Sequence, residues 1–241
     1  MRKFNRKKDE TREINIECNF LKNADGSCLI AYGETKVICT ASLDKDLPNW
    51  IKNQKTGWLT AEYGMLPGST SVRMRRESRS GKQSNRSIEI QRLIGRSLRT
   101  IIDLKKLGGY QFVLDCDVIH ADGGTRTASI SGAFVAISLA VKKFLANGIL
   151  LENPIKDSIA GVSCGIVNGQ ILVDLDYSED SNAAVDANFV FTKKSGVSEV
   201  QISGEKNPFD IKSINKMLQL ANNAAKKIFW CALDPALSNA L

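Results

Sequence analysis

The sequence predicts a mixed α+β fold, built as a single domain over residues 1–241. Segments typical of strands and of helices follow one another in the order four strands, helix, strand, helix, four strands, helix. No internal repeat is apparent. Because 43% of the residues are hydrophobic, the chain can bury a sizeable core.

The first part of the chain consists of strand-like segments rich in β-branched and alternating apolar residues. They cover residues 12–18, 27–32, 33–43 and 57–66. Residues 67–87 are polar and basic with almost no apolar residue, and they predict a long loop.

The middle of the chain predicts two helices separated by a strand. Apolar residues recur at helical spacing from Ser87, and Gly148 is typical of the end of the second helix. The three segments cover residues 87–102, 110–120 and 127–147.

The last third predicts four strands and a closing amphipathic helix. Asn168-Gly169 is a strong signal for a two-residue hairpin turn between the first two of these strands. The strands cover residues 159–167, 170–175, 187–192 and 199–203, and the helix covers 210–230. Residues 232–241 are expected to form a loose C-terminal tail.

Composition narrows the possible functions. The net charge of +7 fits either a polyanionic partner or an ordinary basic protein. Six cysteines without a CxxC pair indicate reduced, buried thiols, and a cytoplasmic location is expected. The single histidine excludes multi-histidine metal sites and disfavours a Ser-His-Asp triad. We expect no secretory signal and no membrane partner.

The stretch HADGGTRTASISGA, residues 120–133, is a candidate anion site. It follows a strand and opens a helix, where free backbone N–H groups attract anions. Gly123 and Gly124 allow close approach of a ligand, and Arg126 offers a planar fork for phosphate oxygens. The alternative is a tight connection between a strand and a helix.

The stretch DLDYSEDSNAAVD, residues 174–186, concentrates carboxylates in an otherwise basic chain. Hard oxygen ligands of this kind suit magnesium, which uses one or two carboxylates and keeps several waters. The alternative is a solvated acidic loop.

Two groups of arginines are candidate contacts for a polyanion. Arg92, Arg96 and Arg99 form one stripe on the first helix, which is either an RNA-binding surface or an ordinary solvated face. The loop arginines either face RNA or form an assembly contact; they are Arg73, Arg75, Arg76 and Arg79.

Three long blocks resemble the signature sequences of the ribonuclease PH family. They are KTGWLTAEYGMLP (55–67), GKQSNRSIEIQRLIGRSLR (81–99) and LDCDVIHADGGTRTASISGA (114–133). The resemblance implies a phosphate-dependent 3′→5′ exoribonuclease that trims tRNA precursors and other RNA 3′ ends, and that adds nucleotides in reverse. It also implies a left-handed βαβ crossover, mixed sheets packed against helices, and a homo-hexamer arranged as a trimer of dimers.

The same resemblance assigns site residues in this sequence. It places phosphate at Gly124, Thr125 and Arg126, with Arg86 added from the second block. It implies that Asp180 and Asp186 are the catalytic carboxylates and that they hold a divalent metal, magnesium or manganese. It also implies that Arg73 and Arg76 form the oligomer interface.

One residue departs from the family's pattern, and one alternative function remains open. His120 stands where the family has glutamine, and we interpret it as a hydrogen-bonding substitute rather than a proton donor. The alternative function is a non-catalytic, RNA-binding ring subunit of exosome type. The intact GGTRT motif and the two aspartates Asp180 and Asp186 argue against that alternative.

Overall fold

The structure is a computed structural model and describes residues 2–54, 56–205 and 208–240. Its first sheet has five strands, in the spatial order β1-β2-β3-β5-β4. These strands are β1 (Ile14–Cys18), β2 (Gly26–Tyr32), β3 (Thr35–Asp44), β4 (Trp58–Met65) and β5 (Gln111–His120). All five were predicted.

A parallel pair of strands distinguishes this sheet. β4 and β5 run parallel, with Ala61 opposite Leu114, while the other neighbours are antiparallel. Helix α1 (Asn85–Ile101) makes the crossover between them and packs against β4. It begins two residues before the predicted start, because the Ser84 side chain caps it by accepting from the backbone N–H of Ser87.

Helix α2 (Thr125–Ala146) lies between the two sheets of the molecule. It contacts β2, β3 and β5 of the first sheet and β6 (Ile159–Val167) of the second. The helix is long and apolar enough to cross a membrane by length and composition, but 78% of its most apolar window is buried inside the protein. Its apolar character is therefore accounted for by packing on both faces.

The second sheet is antiparallel, in the order β7-β6-β8-β9. Its other strands are β7 (Gln170–Val173), β8 (Val185–Thr192) and β9 (Gly196–Gly204). Asn168 and Gly169 form the predicted hairpin turn, with φ of 50° and 73°. Two positive φ angles are what a type I′ turn requires. The four-residue helix α3 (Tyr177–Asp180) connects β7 to β8.

The C-terminal region corrects one prediction. Helix α4 (Ile211–Ile228) packs on the second sheet, continues through a π-helical turn at Phe229–Leu233, and is followed by α5 (Asp234–Ala240). Residues 232–240 are therefore not a loose tail; Leu237 packs against the core and α5 contacts β1. One cluster of buried apolar side chains extends through both sheets. The mixed α+β prediction is confirmed.

The six cysteines are all free, and four are fully buried. Cys18, Cys28, Cys39 and Cys116 lie opposite one another on four neighbouring strands. Burial raises the pKa of Cys18 to about 11, which keeps that sulfur in its thiol form at neutral pH. The structure thus agrees with the prediction of reduced, mostly buried thiols.

Candidate active site

A cleft of about 710 Å³ opens where β5 ends and α2 begins. Its far side is formed by α3 and by the start of β8. All of the predicted phosphate and catalytic residues line this one cleft; they are Arg86, Gly124, Thr125, Arg126, Asp180 and Asp186. Residues from distant parts of the chain therefore converge on one site.

The phosphate loop, residues 122–127, has the backbone shape that an anion site needs. Gly123 and Gly124 have φ of 77° and 68°, which side chains other than glycine rarely adopt. Gly124 is the N-cap of α2, and no side chain caps that end of the helix. Its first N–H groups and the positive end of the helix dipole are thus directed toward the cleft.

Side chains from two strands of the first sheet hold the phosphate loop by hydrogen bonds that the sequence did not predict. Thr35 Oγ1 donates to the Gly123 carbonyl at 2.6 Å and accepts from the Asp122 N–H at 2.8 Å. Tyr63 Oη donates to Thr125 Oγ1 at 2.9 Å. These contacts join β3 and β4 to the loop, so the anion site is fixed before a ligand arrives.

Arg86 and Arg126 direct positive charge into the same space. Burial raises the pKa of Asp180 and that of Tyr63. The positive charges of both guanidinium groups partly offset these increases. Among the described residues, Arg126 makes only long contacts of 3.4 Å, to Glu89 Oε1 and Gln201 Oε1. Its side chain is therefore available to bind an oxyanion.

Asp180 and Asp186 lie close enough to influence each other. Loss of hydration raises the pKa of both carboxyl groups, and the charge of Asp180 raises that of Asp186 further. Asn188 donates to the two Asp186 oxygens at 3.3 and 3.4 Å. Neither aspartate forms an ion pair within the described residues.

A divalent cation fits the chemistry of this carboxylate pair. Two neighbouring carboxylates that repel each other are stabilised by a cation, and magnesium needs no more than one or two. No group of three His, Cys, Asp or Glu side chains suited to a metal occurs in the described part of the chain. Two carboxylates therefore suit an ion whose other ligands are water molecules or oxygens of the substrate phosphate.

The other carboxylates of the acidic stretch lie inside the protein. Arg12 Nη2 contacts Asp174 Oδ1 at 2.7 Å, and both side chains are at most 3% exposed. Arg12 also donates to the carbonyls of Asp122 and Gly123. Glu179 pairs with Arg2 at 2.7 Å. These groups position the phosphate loop and α3, and they do not face the cleft.

The arginine stripe on α1 is partly engaged within the chain. Arg96 forms a two-pronged ion pair with Glu199 of β9, at 2.7 and 2.8 Å. Arg99 donates to the Leu59 carbonyl and lies 4.7 Å from the centre of the Trp58 ring. Arg92 is exposed and has no ion pair among the described residues. The RNA-binding assignment therefore stays a prediction, and Arg92 is the member most available for it.

The basic loop and His120 were also predicted features. Between Met65 and Asn85 the chain forms only a short 3-10 turn, and Arg73 and Arg76 are exposed. His120 lines the cleft, and its Nδ1 lies 2.7 Å from the Glu34 carbonyl oxygen. That oxygen can only accept, so Nδ1 donates, as a hydrogen-bonding substitute would.

Two family models match the chain. The 3′ exoribonuclease family, domain 1, matches residues 10–143, and domain 2 of the same family matches residues 157–224. The chain belongs to the RNase PH family of 3′ exoribonucleases. The family resemblance predicted from the sequence blocks is confirmed.

Curated members of the RNase PH family are similar over most of their length. A protein named Ribonuclease PH from Neisseria meningitidis is 54% identical over 91% of this chain and 90% of its own length. One of the same name from Neisseria gonorrhoeae is 55% identical over 88% of each chain. The chain is accordingly a phosphorolytic 3′ exoribonuclease, as predicted.

Solved structures show the same fold at low sequence identity. Rice Rrp46 matches with a TM-score of 0.78 at 17% identity, covering 100% of both chains. An Archaeoglobus fulgidus exosome with RNA bound to the active site matches with a TM-score of 0.78 at 24% identity, over 95% of this chain and 91% of its own. The predicted RNase PH-type fold is confirmed.

Replacing Arg126 by alanine should lower the rate of phosphorolysis by one to two orders of magnitude. A hydrogen bond to a charged group contributes about 1.5–3 kcal/mol, and about 1.4 kcal/mol corresponds to a factor of ten. The measurement is kcat/KM with respect to phosphate. Arg126→Lys keeps the positive charge but loses the planar guanidinium group. Its kcat/KM should therefore lie between that of Arg126→Ala and that of the unchanged protein. Equal loss of RNA affinity and of activity would argue against a phosphate role.

Proposed function

We propose that this chain trims the 3′ ends of transfer RNA precursors in the cytoplasm, and acts on other RNA 3′ ends. The supporting observation is the cleft itself. One wall offers the open N-terminus of α2 with Arg86 and Arg126, and the other offers Asp180 and Asp186. An anionic nucleophile and an anionic phosphodiester can therefore meet in one place.

The reaction uses phosphate instead of water. A phosphate oxygen attacks the phosphorus of the last phosphodiester, and the bond from that phosphorus to the preceding 3′ oxygen breaks. The terminal nucleotide leaves as a nucleoside 5′-diphosphate, and the shortened RNA keeps the 3′ oxygen, which takes up a proton. One phosphate linkage replaces another, so nucleotide addition is the reverse reaction.

The main barrier is the approach of two anions. Arg86, Arg126 and the N–H groups of the phosphate loop hold the attacking phosphate and offset its charge. Because phosphate is already an oxyanion, no strong general base is needed, which fits a chain with one histidine.

Asp180 and Asp186 are the residues that would hold a divalent ion, magnesium or manganese. Such an ion supplies charge neutralisation at the scissile phosphate and at the departing oxygen when bound. Burial raises the pKa of both carboxyl groups, and the charge of Asp180 raises that of Asp186 further; a bound cation would stabilise both carboxylates in their charged form.

Product analysis tests the proposal. A tRNA precursor with a 3′ extension is incubated with magnesium, with and without inorganic phosphate. The expected result is nucleoside 5′-diphosphates and a shortened 3′ end only when phosphate is present. Monophosphates released without phosphate would indicate a hydrolytic nuclease. RNA binding without any product would indicate a non-catalytic ring subunit.

The proposal includes a homo-hexamer, a trimer of dimers, in which Arg73 and Arg76 contact a neighbouring subunit. Both arginines are exposed and form no ion pair within the described residues. A segment with so few apolar residues cannot build its own core, so a partner must order it. One similar solved structure is an archaeal exosome core, with a TM-score of 0.73.

Replacing Arg73 and Arg76 by alanine is expected to convert the hexamer to dimers, which light scattering would measure. Transfer RNA binding should then weaken, because one precursor meets fewer basic surfaces at once. The matched control is Lys226→Ala with Lys227→Ala, which removes two exposed charges from α4. A hexamer that stays intact while RNA affinity falls would show that the loop is an RNA-binding arm.

A further inference from the structure

The cleft contains an apolar surface that phosphate chemistry does not use. Beside the arginines and aspartates it is lined by Met65, Val72, Met74 and Tyr177. Val72 is 79% exposed and Tyr177 is 61% exposed. The cleft has a volume of about 710 Å³, several times that of a phosphate ion. Part of it is therefore left for the nucleotide that carries the scissile bond.

Tyr177 has no structural role that explains its side chain. Within the described residues its ring makes no aromatic or cation–π contact, and its hydroxyl makes no hydrogen bond. Single exposed aromatic residues are common on protein surfaces. This one is distinguished by its place in the cleft, on the same helical turn as Asp180.

The backbone of Tyr177 is held firmly against the phosphate loop. Its N–H donates to Asp122 Oδ1 at 3.4 Å, and a Cβ on Gly123 would lie 2.8 Å from the same nitrogen. Asp176 caps α3 and forms a capping box with Glu179, which is paired with Arg2. The ring is therefore presented from a short helix whose position is fixed relative to the attacking phosphate.

We propose that Tyr177 is a substrate-binding residue whose ring stacks on the nucleobase of the 3′-terminal nucleotide of the RNA. Every base has a π face, so such a contact accepts all four bases and suits an enzyme that removes nucleotides one after another. Stacking places the terminal nucleotide with its phosphodiester toward Asp180 and the phosphate loop. This inference rests on phosphorolysis taking place in this cleft.

The test compares Tyr177→Leu and Tyr177→Phe with the unchanged protein. Loss of one base–aromatic stack should raise KM for RNA about 5- to 150-fold for Tyr177→Leu, with a smaller change in kcat. Tyr177→Phe keeps the ring and should behave like the unchanged protein. Trp230→Leu removes an equally exposed aromatic residue outside the cleft and should have no effect.

The substrate supplies a second control. An RNA with an abasic 3′-terminal nucleotide has nothing to stack, so the unchanged protein and Tyr177→Leu should bind it equally in phosphate-free buffer. An abasic site one position upstream should leave the difference between them intact. An unchanged KM for Tyr177→Leu, or a loss that persists on the terminal abasic RNA, would overturn the inference. Absence of phosphorolysis in the unchanged protein would instead reject the proposed function.

Discussion

Replacing Asp186 or Asp180 by asparagine is expected to lower phosphorolysis by about 100-fold or more without loss of folding. Asparagine keeps the shape of the side chain but removes the charge that a divalent ion requires. Turnover measured against magnesium concentration should fall and lose its dependence on the metal. Near-normal turnover in either variant would remove that residue from the site.

The same substitutions should increase the free energy of unfolding at neutral pH. The pKa of each carboxyl group is raised in the folded chain, so ionisation there opposes folding. The unchanged protein gains stability as pH falls through these raised pKa values, because the carboxyl groups become protonated. Denaturation in the absence of metal, at neutral and mildly acidic pH, should show the difference shrinking as pH falls. Asp46→Asn, which removes an exposed carboxylate outside the cleft, should leave turnover nearly unchanged.

Replacing Asp174 by asparagine should lower the free energy of unfolding by about 3–5 kcal/mol, because Arg12 is left buried without its counter-charge. Asparagine tolerates the φ of 54° at this position, so the loss of charge is the main change. Urea denaturation measures the loss. Activity should fall as well, since Arg12 also holds the carbonyls of Asp122 and Gly123.

The matched control is an exposed ion pair. Asp46 and Lys52 are 3.0 Å apart, with side chains 83% and 48% exposed. Asp46→Asn should cost less than about 1 kcal/mol. A similar cost for Asp46→Asn and Asp174→Asn would show that burial of the Arg12 pair contributes nothing special to stability.

Local patterns in the sequence predicted most of the fold. In the part of the chain that the structure describes, the positions of the nine strands and of the three long helices follow from apolar periodicity and from turn residues such as Asn168-Gly169. The predicted ends of the helices were less accurate than their positions. α2 begins at Thr125 rather than Thr127, because Gly124 takes a left-handed conformation and acts as the N-cap. The helix α5 was missed because its stability comes from Leu237 packing against distant residues.

The site was predicted only where motifs are continuous in sequence. Gly124, Thr125 and Arg126 are adjacent, so their shared role could be inferred from one stretch. Arg12 and Asp174 are 162 residues apart, and no local pattern links them. Likewise, the partner of Arg96 is Glu199 on β9, 103 residues away, and nothing in the sequence of α1 indicates that pair.

Helix α2 packs against both sheets, most extensively against the first, and this has a consequence for how the protein unfolds. The two family segments, 10–143 and 157–224, each supply one sheet, but α2 comes from the first and fills the interior of both. If either half unfolds, it uncovers α2, and apolar surface of the other half is then exposed to water. We therefore expect the two halves to unfold in one cooperative transition, with the slowest-exchanging amide protons along α2.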